Sequence, residues 1–357
     1  MITNMNYDFI TIGGATRDIS FFTDQGVVIK NRLDIFHQDV LAFESGGKIK
    51  VDKFYYSYGG GAANAAVCLS KLGLKTACLS AIGDDQNGQE IIRNLKKHKV
   101  DTNNLQIVKK QESSSSFILI APTGERIIFS ERGATEKLTL NRSRLALLNK
   151  TKHIYIASLS SPQWSLELKT IFAKAQKTKA KIFWNPGLKQ YEHGLKKIAS
   201  FLAQTYVLAS NKDEAIELLA SSAKYHQADS KFLNNPVNLV KAIYSFGPQI
   251  VVITKGSQGV IAYDGHQIYQ RAIIRAPKTV DTTGIGDVFN SSFSAALVLF
   301  KGDINKALEL ALLNASAKVR YVGAQNGLIT YPRKAVRQAL QPGANLLKII
   351  KDNSKNK

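Results

Sequence analysis

Short apolar runs alternate with longer amphipathic stretches through much of the chain. The apolar runs are typical of buried strands and lie at 153–158, 181–184, 205–209 and 250–254. The stretches between them repeat their apolar residues at helical spacing, at 164–178, 212–220 and 237–246. This alternation is typical of right-handed βαβ units. It predicts a doubly wound α/β fold, in which a mostly parallel sheet carries helices on both faces.

The same alternation extends toward both ends of the chain. Apolar runs at 9–12 and 75–81 predict two more strands. Helical spacing predicts four more helices, at 62–72, 88–98, 286–300 and 303–322. We therefore expect one α/β domain over residues 1–350, followed by a polar tail at 351–357.

Two β-rich segments interrupt this pattern, at about 18–57 and 112–133. Each contains short apolar pieces broken by turn residues, and the stretch from Pro122 to Glu125 predicts a hairpin turn. Neither segment has a helical period. They predict a small β-sheet beside the α/β domain, and such a sheet over the mouth of a site would act as a lid.

Composition excludes several classes of protein. The 357 residues include 48 Lys and Arg against 27 Asp and Glu, a formal charge of +21. This charge favours encounters with polyanions, but the basic residues form no dense arm, so nucleic-acid binding is not expected. The 2 cysteines and 6 histidines lack the spacing of a zinc site. Without a signal peptide or an apolar run of membrane length, we expect a cytoplasmic protein.

The segment 281–287, Asp-Thr-Thr-Gly-Ile-Gly-Asp, comes directly before a long apolar helix. Glycines at such a junction let backbone N–H groups converge on an anion at the positive end of the helix dipole. Asp287 could accept a proton from a substrate hydroxyl while those N–H groups stabilise a phosphoryl group. An ordinary helix cap would explain Asp287 and one glycine, but not the whole heptapeptide.

This heptapeptide resembles the C-terminal signature of the ribokinase-like (PfkB-type) carbohydrate kinases. The resemblance implies a ribokinase-like fold with a β-sheet lid, and ATP-dependent phosphorylation of a hydroxyl group. It makes Asp287 the catalytic base and Gly284, Ile285 and Gly286 the backbone that surrounds the transferred phosphate. Ile285 stands where the family generally has Ala or Gly.

Earlier motifs resemble the acceptor site of that family. Gly60 and Gly61 precede an Ala-rich helix that carries Asn64, in the pattern of the family's N-terminal glycine motif. The resemblance implies that the glycines approach the acceptor and form the lid hinge, and that Asn64 binds an acceptor hydroxyl. Asp18 matches an early Asp that receives two acceptor hydroxyls, although alone it would suggest a surface turn.

Further motifs resemble the family's nucleotide and metal site. The resemblance implies that Asn211 and Glu214 organise Mg²⁺ and its waters, although a capping box explains the same pair on local sequence. It implies nucleotide contacts for five further residues: Thr254, Gly256, Gly259, Thr283 and Asn314. It also allows a monovalent cation such as K⁺, and a homodimer formed through the lid.

The sequence does not determine the identity of the phosphate acceptor. Gly61 and the sequence around Asn185 depart from the family's sugar-site patterns, while the catalytic motif is kept, so the reaction type is expected but the acceptor is not determined. A sugar such as ribose or fructose is the first hypothesis. A nucleoside kinase is the second and needs an aromatic slot, with these candidates: Phe21, Phe22, Tyr55, Tyr56, Phe117 and Trp184. A sugar-phosphate kinase and a non-enzymatic protein on a kinase fold are weaker alternatives, the last because Asp287 is present.

Overall fold

The computed structural model describes residues 6–30, 39–120 and 126–330. Its strands are β1 Phe9–Ile12, β2 Thr16–Phe22, β3 Val27–Lys30, β4 Asp39–Ala42, β5 Lys53–Gly59, β6 Thr76–Leu79, β7 Ala81–Gly83, β8 Gln106–Val108, β9 Ser115–Ile120, β10 Arg126–Glu131, β11 His153–Ile156, β12 Lys181–Trp184, β13 Val207–Asn211, β14 Ile250–Thr254, β15 Val260–Tyr263 and β16 Ile268–Arg271. Its α-helices are α1 Gly61–Lys71, α2 Gln86–Lys97, α3 Arg142–Leu147, α4 Trp164–Thr178, α5 Leu188–Glu192, α6 Gly194–Leu202, α7 Lys212–Ala220, α8 Ser230–Asn234, α9 Pro236–Tyr244, α10 Ile285–Leu299 and α11 Ile304–Lys318.

Eight strands form the central sheet, in the order β16-β15-β14-β13-β12-β11-β1-β6. The strands from β14 to β6 in that order run parallel, and β15 and β16 add an antiparallel edge. Side chains alternate between the two faces, as the strand period requires. In β11, Ile154 and Ile156 pack into one apolar core with α4, α6, α7 and α9, whereas Tyr155 packs into a second core with α1, α10 and α11. The predicted fold class is therefore confirmed.

A separate four-stranded sheet, here called the lid sheet, has the order β10-β9-β2-β5. Asp18 of β2 lies opposite Ser57 of β5 and Ser116 of β9, on the buried face of this sheet. Its strands come from the two segments that the sequence singled out as β-rich. Two smaller sheets pair β3 with β4 and β7 with β8. The role of the lid sheet in closing a site stays a prediction.

The element boundaries agree closely with the sequence pattern, with four differences. The run 75–81 forms two strands, and the second of these joins β8 in its own sheet. The last helix ends at Lys318 instead of continuing to 322, because the Val319 carbonyl accepts backbone N–H groups of Val280 and Asp281. The antiparallel strands β15 and β16 were not expected, nor was the separate helix α6. The turn at 122–125 and the tail at 351–357 lie outside the described residues.

No helix within the described ranges is long and apolar enough to cross a membrane.

Candidate active site

The anion-binding turn, residues 281–287, leads from the core into the first turn of α10. Gly284 caps the helix with a left-handed backbone, φ 70°, and a Cβ there would lie 2.4 Å from the Ala324 Cβ. Gly286 is exposed, and a Cβ on it would meet no atom within 4 Å. The two glycines thus differ: Gly284 shapes the turn, whereas Gly286 leaves space open at the positive end of a 15-residue helix.

Asp287 lies in the first turn of α10, at the mouth between α10 and α1. Its Oδ2 accepts a hydrogen bond of 2.8 Å from Nδ2 of Asn64, and a Cβ on Gly61 would lie 3.5 Å from its Oδ1. Burial raises the pKa of Asp287, and the Asn64 hydrogen bond opposes that rise. A carboxylate with a raised pKa is suited to accept a proton.

A chain of buried amides extends from Asp287 into the protein. Asn64 Oδ1 accepts from Gln325 Nε2 at 3.0 Å, and Gln325 Oε1 accepts from Asn94 Nδ2 at 2.7 Å. All three amide side chains are buried. Asn64 was expected to bind the acceptor, but both ends of its amide already have partners within the protein. The acceptor contact of Asn64 stays a prediction, while its observed hydrogen bonds orient Asp287. Gln325 and Asn94 are participants that the sequence did not reveal.

Asp18 lies on the buried face of the lid sheet, close to the mouth between α10 and α1. Its side chain is 4% exposed, and Oδ1 accepts from Thr16 Oγ1 at 2.8 Å. Burial raises its pKa, the hydroxyls of Thr16 and Ser116 lower it, and the negative charge of Asp287 raises it again. A Cβ on Gly59 would lie 2.1 Å from Asp18 Oδ2, and a Cβ on Gly61 would lie 3.5 Å from Asp287 Oδ1. The two carboxylates, 269 positions apart in sequence (287 − 18), therefore lie against the same three-residue segment.

Gly60 closes the acceptor side of the site. Its φ of 88° is unfavourable for residues with a Cβ, and a Cβ there would lie 2.5 Å from the Gly14 carbonyl oxygen. That carbonyl accepts the N–H groups of Ala62 and Ala63 at 3.1 and 3.2 Å. The start of α1 is therefore tied to the loop between β1 and β2, next to Asp18.

A cavity of about 710 Å³ opens on the outer side of the anion-binding turn. The turn contributes Thr282, Ile285 and Gly286, and the loop after β14 contributes Gly256 and Ser257. Its remaining wall includes the apolar side chains of Ile273, Ile274, Leu312 and Val319. Apolar walls beside a glycine-rich helix start suit a base at one end and phosphates at the other.

Arg126, from the lid-sheet strand β10, also lines this cavity and donates a hydrogen bond to Thr282 Oγ1. The contact joins the lid sheet directly to the anion-binding turn. Its Nε is buried and has no partner among the described residues. Arg126 could not be identified from the sequence, because a lone Arg in a strand has no distinctive pattern.

Only some of the residues expected from the sequence to contact the nucleotide line this cavity. Gly256 lines the cavity, whereas Thr254 ends the strand before it. Gly259 packs closely on β16, since a Cβ there would lie 2.1 Å from the Arg271 carbonyl oxygen. Thr283 is buried, and its Oγ1 has no partner in the described part of the chain. The cavity is therefore formed by some, not all, of these positions.

Asn314 is a correction. Its side chain is fully buried between α10 and α11, where Nδ2 donates to Ser292 Oγ at 2.8 Å and Oδ1 accepts from the Ile329 N–H at 2.8 Å. The neighbours Leu312 and Ala315 face the cavity, but Asn314 does not line it. The helical period explains the error, since a residue between two cavity-lining positions can face the opposite side. We therefore remove Asn314 from the nucleotide site.

Asn211 and Glu214 form a capping box at the start of α7. Asn211 Oδ1 accepts from the Glu214 N–H, and Glu214 Oε2 accepts from the Asn211 N–H, each at 2.8 Å. Burial, and then the negative charges of Glu217, Asp287 and Asp213, raise the pKa of Glu214 to about 7. No cation pairs with Glu214 within the described ranges. This excess negative charge fits a hydrated cation nearby.

No group of three or more His, Cys, Asp or Glu in the described parts of the chain could hold a metal ion by itself. A hydrated Mg²⁺ does not need one, because it keeps several waters and is bound partly through phosphate oxygens.

Comparisons with known proteins identify the family of the chain. The model of the pfkB family carbohydrate kinases matches residues 31–330. A ribokinase of Mus musculus is 28% identical over 304 residues, 82% of this chain and 86% of the relative. An ATP-dependent 6-phosphofructokinase of Thermoanaerobacterium thermosaccharolyticum is 24% identical, over 80% of this chain and 86% of the relative. A nucleoside kinase of Methanocaldococcus jannaschii is 26% identical, over 78% and 85%.

Solved structures show the same fold. An Arabidopsis thaliana ribokinase complexed with ribose and ATP has a TM-score of 0.74 at 20% identity, covering 97% of this chain and 99% of the other. A Burkholderia thailandensis nucleoside kinase in complex with inosine has a TM-score of 0.72 at 15% identity, covering 92% and 96%.

Fold and site together define a phosphotransferase with an alcohol group as acceptor. The chain belongs to the pfkB family of carbohydrate kinases. That family uses ATP, with Mg²⁺ implied. Since relatives with different acceptors match over similar shares of the chain, the family does not specify the acceptor.

Proposed function

We propose that the protein transfers the γ-phosphate of ATP to a hydroxyl of a ribose- or fructose-like sugar. The observation that carries the proposal is the convergence of Asp18 and Asp287 beside the open glycine turn. Two carboxylates can accept hydrogen bonds from several hydroxyl groups at once, which suits an acceptor rich in hydroxyl groups.

In this proposal Asp18 binds two hydroxyls of the sugar and turns a third toward Asp287. Asp287 takes the proton of that hydroxyl as the hydroxyl oxygen attacks the γ-phosphate of ATP and ADP leaves. The backbone at Gly284, Ile285 and Gly286 stabilises the charge on the phosphoryl oxygens. Asn64, held by Gln325, keeps Asp287 in line with the acceptor.

We place the base of ATP against Ile273, Ile274 and Leu312, with the phosphates at the anion-binding turn. Gly256 and Thr283 are proposed to contact the nucleotide, with Thr254 and Gly259 shaping the loop that holds Gly256. Bound Mg²⁺ supplies charge neutralisation of the phosphates. Asn211 and Glu214 would hold its waters, because Glu214 lies in an excess of negative charge that a cation relieves.

The lid sheet is proposed to close over the acceptor, with its hinge at Gly60 and Gly61. Closure would exclude water that could otherwise attack the phosphate. We treat residues 1–350 as one kinase domain, whose lid is formed by about 18–57 and 112–133, and we place the enzyme in the cytoplasm.

A homodimer through the outer face of the lid sheet is proposed from an aromatic row. Register places Tyr56, Ile19, Phe117 and Phe129 side by side on the face opposite Asp18. The aromatic side chains are 60%, 46% and 58% exposed for Tyr56, Phe117 and Phe129. A contiguous apolar patch of this kind marks an interaction surface. Light scattering of the wild type and of Phe129→Asp tests it; a wild-type monomer would refute it.

A nucleoside acceptor is the second candidate, supported by one observation. Phe22 and Tyr55 lie on the same face of the lid sheet as Asp18, with ring centroids 5.8 Å apart in an edge-to-face pair. A base could contact these rings. The other aromatic candidates are placed elsewhere: Phe21, Tyr56 and Phe117 on the opposite face, and Trp184 in the core.

The experiment is a coupled ADP-release assay with saturating MgATP over sugars, nucleosides and sugar phosphates. We expect a sugar to give the highest kcat/KM, with Asp287→Asn as the blank for contaminating kinases. A nucleoside that exceeds every sugar by about tenfold, a difference of about 1.4 kcal/mol in transition-state stabilisation, would replace the first proposal by the second. If no compound releases ADP above the blank, both fail.

A further inference from the structure

Lys318, in the last turn of α11, is a fully buried cation. Its relative exposure is 0%, although Lys is almost never fully buried without a partner. Nζ donates a hydrogen bond of 2.8 Å to the carbonyl oxygen of Asp281, and it lies 3.6 Å from Asp281 Oδ2. The charged partner is thus the first residue of the anion-binding turn.

The carboxylate of Asp281 has no free oxygen. Oδ1 accepts the Thr283 N–H at 2.7 Å, and Oδ2 accepts the Gly323 N–H at 2.8 Å. Together with the bond from Lys318, these contacts fix the beginning of the turn from three directions. Because the beginning of the turn is fixed, the positions of Gly284 and Gly286, which follow within five residues, are restricted as well.

The family resemblance allowed a monovalent cation such as K⁺. A cation that orders the turn from its first residue would need oxygen ligands there, and K⁺ is bound through oxygens. All three oxygens of Asp281 already accept hydrogen bonds, one of them from an ammonium group. A K⁺ on the remaining lone pairs would lie beside the ammonium of Lys318, which is 2.8 Å from the carbonyl oxygen and 3.6 Å from Oδ2 and would repel it. Asp281 therefore does not fit an added K⁺.

A second cation lies in the same region. The positive charge of Arg126, in the cavity wall, lowers the pKa of Lys318, as burial does more strongly, while Asp281 raises it. The resulting pKa of about 8 leaves the ammonium mostly charged at neutral pH. The positive charge of Arg126 in front of the turn favours an anion there, whereas the charge of Lys318 is balanced by the Asp281 carboxylate, so Lys318 orders the turn instead of attracting the anion.

We propose that the Lys318 ammonium is a built-in cation of the anion-binding turn, which orders it for phosphate and makes nucleotide binding independent of K⁺. Lys318 is a positioning residue in this proposal, since it acts through Asp281. The inference rests on the proposed function only in taking ATP as the ligand of the turn.

The first test uses the wild type. ATP affinity by calorimetry, melting temperature and turnover are measured in KCl, NaCl and tetramethylammonium chloride at equal ionic strength. We expect ATP affinity and turnover to agree within about twofold between the salts, which is less than 0.5 kcal/mol, and the melting temperature to stay the same. An ATP affinity that is higher in KCl than in the other two salts by about tenfold or more would overturn the proposal.

The second test compares Lys318→Met with Arg320→Met, an exposed cation two residues away that gives the same change in net charge. We expect Lys318→Met to weaken ATP by about tenfold or more and AMP much less, because the turn faces the outer phosphates. Arg320→Met should bind ATP and AMP as tightly as the wild type does. Equal weakening of ATP and AMP would mean that the pair is only structural, and would refute the proposal.

If Lys318→Met does not fold, Lys318→Gln, which keeps a donor for the Asp281 carbonyl, takes its place with the same expectations. Should neither variant fold, the salt series on the wild type decides alone. These binding readouts need no acceptor, so they stay decisive even if every compound in the ADP-release panel is inactive. Failure of the proposed function and failure of this inference are thereby distinguished.

Discussion

The anion-binding turn and the lid sheet approach the same reacting groups, yet the protein holds them in different ways. The turn is fixed by buried hydrogen bonds to Asp281 and by the ammonium of Lys318. The lid sheet contributes Asp18 from its buried face, while its outer face exposes large side chains such as Tyr56 and Phe129. Under the proposed function, the reaction type depends on the turn, which is held by buried contacts, and the choice of acceptor depends on the lid sheet, which is built from separate strands.

The largest expected effect comes from Asp287→Asn. The variant should fold and bind ATP like the wild type, but kcat should fall by about 10²–10⁴, because Asn cannot accept the hydroxyl proton. The measurement is steady-state turnover on the best acceptor, with ATP affinity by calorimetry as the control. If the purified variant keeps more than about a tenth of wild-type kcat, Asp287 is not the general base.

Asp18→Ala should separate the acceptor from the nucleotide. Charge-assisted hydrogen bonds contribute roughly 1.5–3 kcal/mol each, so acceptor KM should rise by about tenfold or more. The KM for ATP should change little, since Asp18 lies on the lid side of the site. Steady-state kinetics with each substrate varied in turn will check this. A rise in the KM for ATP with an unchanged acceptor KM would show that the two sites are reversed.

Two glycines provide a matched pair. A Cβ on Gly60 would lie 2.5 Å from the Gly14 carbonyl oxygen, so Gly60→Ala should lower the free energy of unfolding by about 1–3 kcal/mol. A Cβ on Gly286 meets nothing within 4 Å, so Gly286→Ala should melt like the wild type but bind ATP more weakly. Thermal melts and ATP calorimetry distinguish the two. Wild-type ATP affinity in Gly286→Ala would remove this position from the phosphate site.

The amide chain behind Asp287 predicts a pH effect. Asp287 must be deprotonated to act, and its pKa is raised, so kcat/KM should fall as pH decreases through that pKa. Gln325→Leu frees Asn64, weakens the bond that favours the carboxylate, and raises the pKa further. The acidic limb of the profile should move to higher pH, by up to about one unit. Asn326→Ala, at an exposed neighbouring residue, should leave the acidic limb of the profile in place. An acidic limb that does not move in Gln325→Leu would contradict the role of Gln325 in positioning Asn64.

The smallest effect is expected at Glu214. In Glu214→Gln the Mg²⁺ concentration for half-maximal rate should rise severalfold, because a neutral amide attracts the hydrated ion less strongly. The acceptor KM should barely change. Mg²⁺ titrations at fixed ATP, with Glu44→Gln at an exposed carboxylate outside α7 as the control, measure this. Identical titrations for Glu214→Gln and the wild type would leave the pair as a helix cap alone.

The sequence was most informative where chemistry lies in one continuous segment. Residues 281–287 carry their spacing in the chain, so the turn and its helix could be predicted together, and Asp287 lies in the first turn of α10 as a result. The parallel strands were equally visible, because buried strands with both faces covered have continuous apolar runs. Where one local segment determines the structure, the pattern was sufficient.

Residues that act across the fold were not visible in this way. Arg126 contacts a residue 156 positions away, and Gln325 contacts Asn64 across 261 positions. Single Arg and Gln residues occur everywhere, so only the tertiary structure gives them a role. The strands β15 and β16 are a different case, since Asp264 and Gly265 between two β-rich runs are a hairpin signal that could have been used.

The buried amide chain also bears on how the enzyme is synthesised. Asn64 and Asn94 leave the ribosome early, whereas Asp287 and Gln325 follow more than 190 residues after Asn94 (287 − 94 = 193). Contacts of such sequence separation form late, because the chain between them must first be ordered. A nascent chain therefore has no oriented base, although its early glycine motif is already present. Under the proposed function, the ability to transfer phosphate appears only once both ends of the described fold have come together.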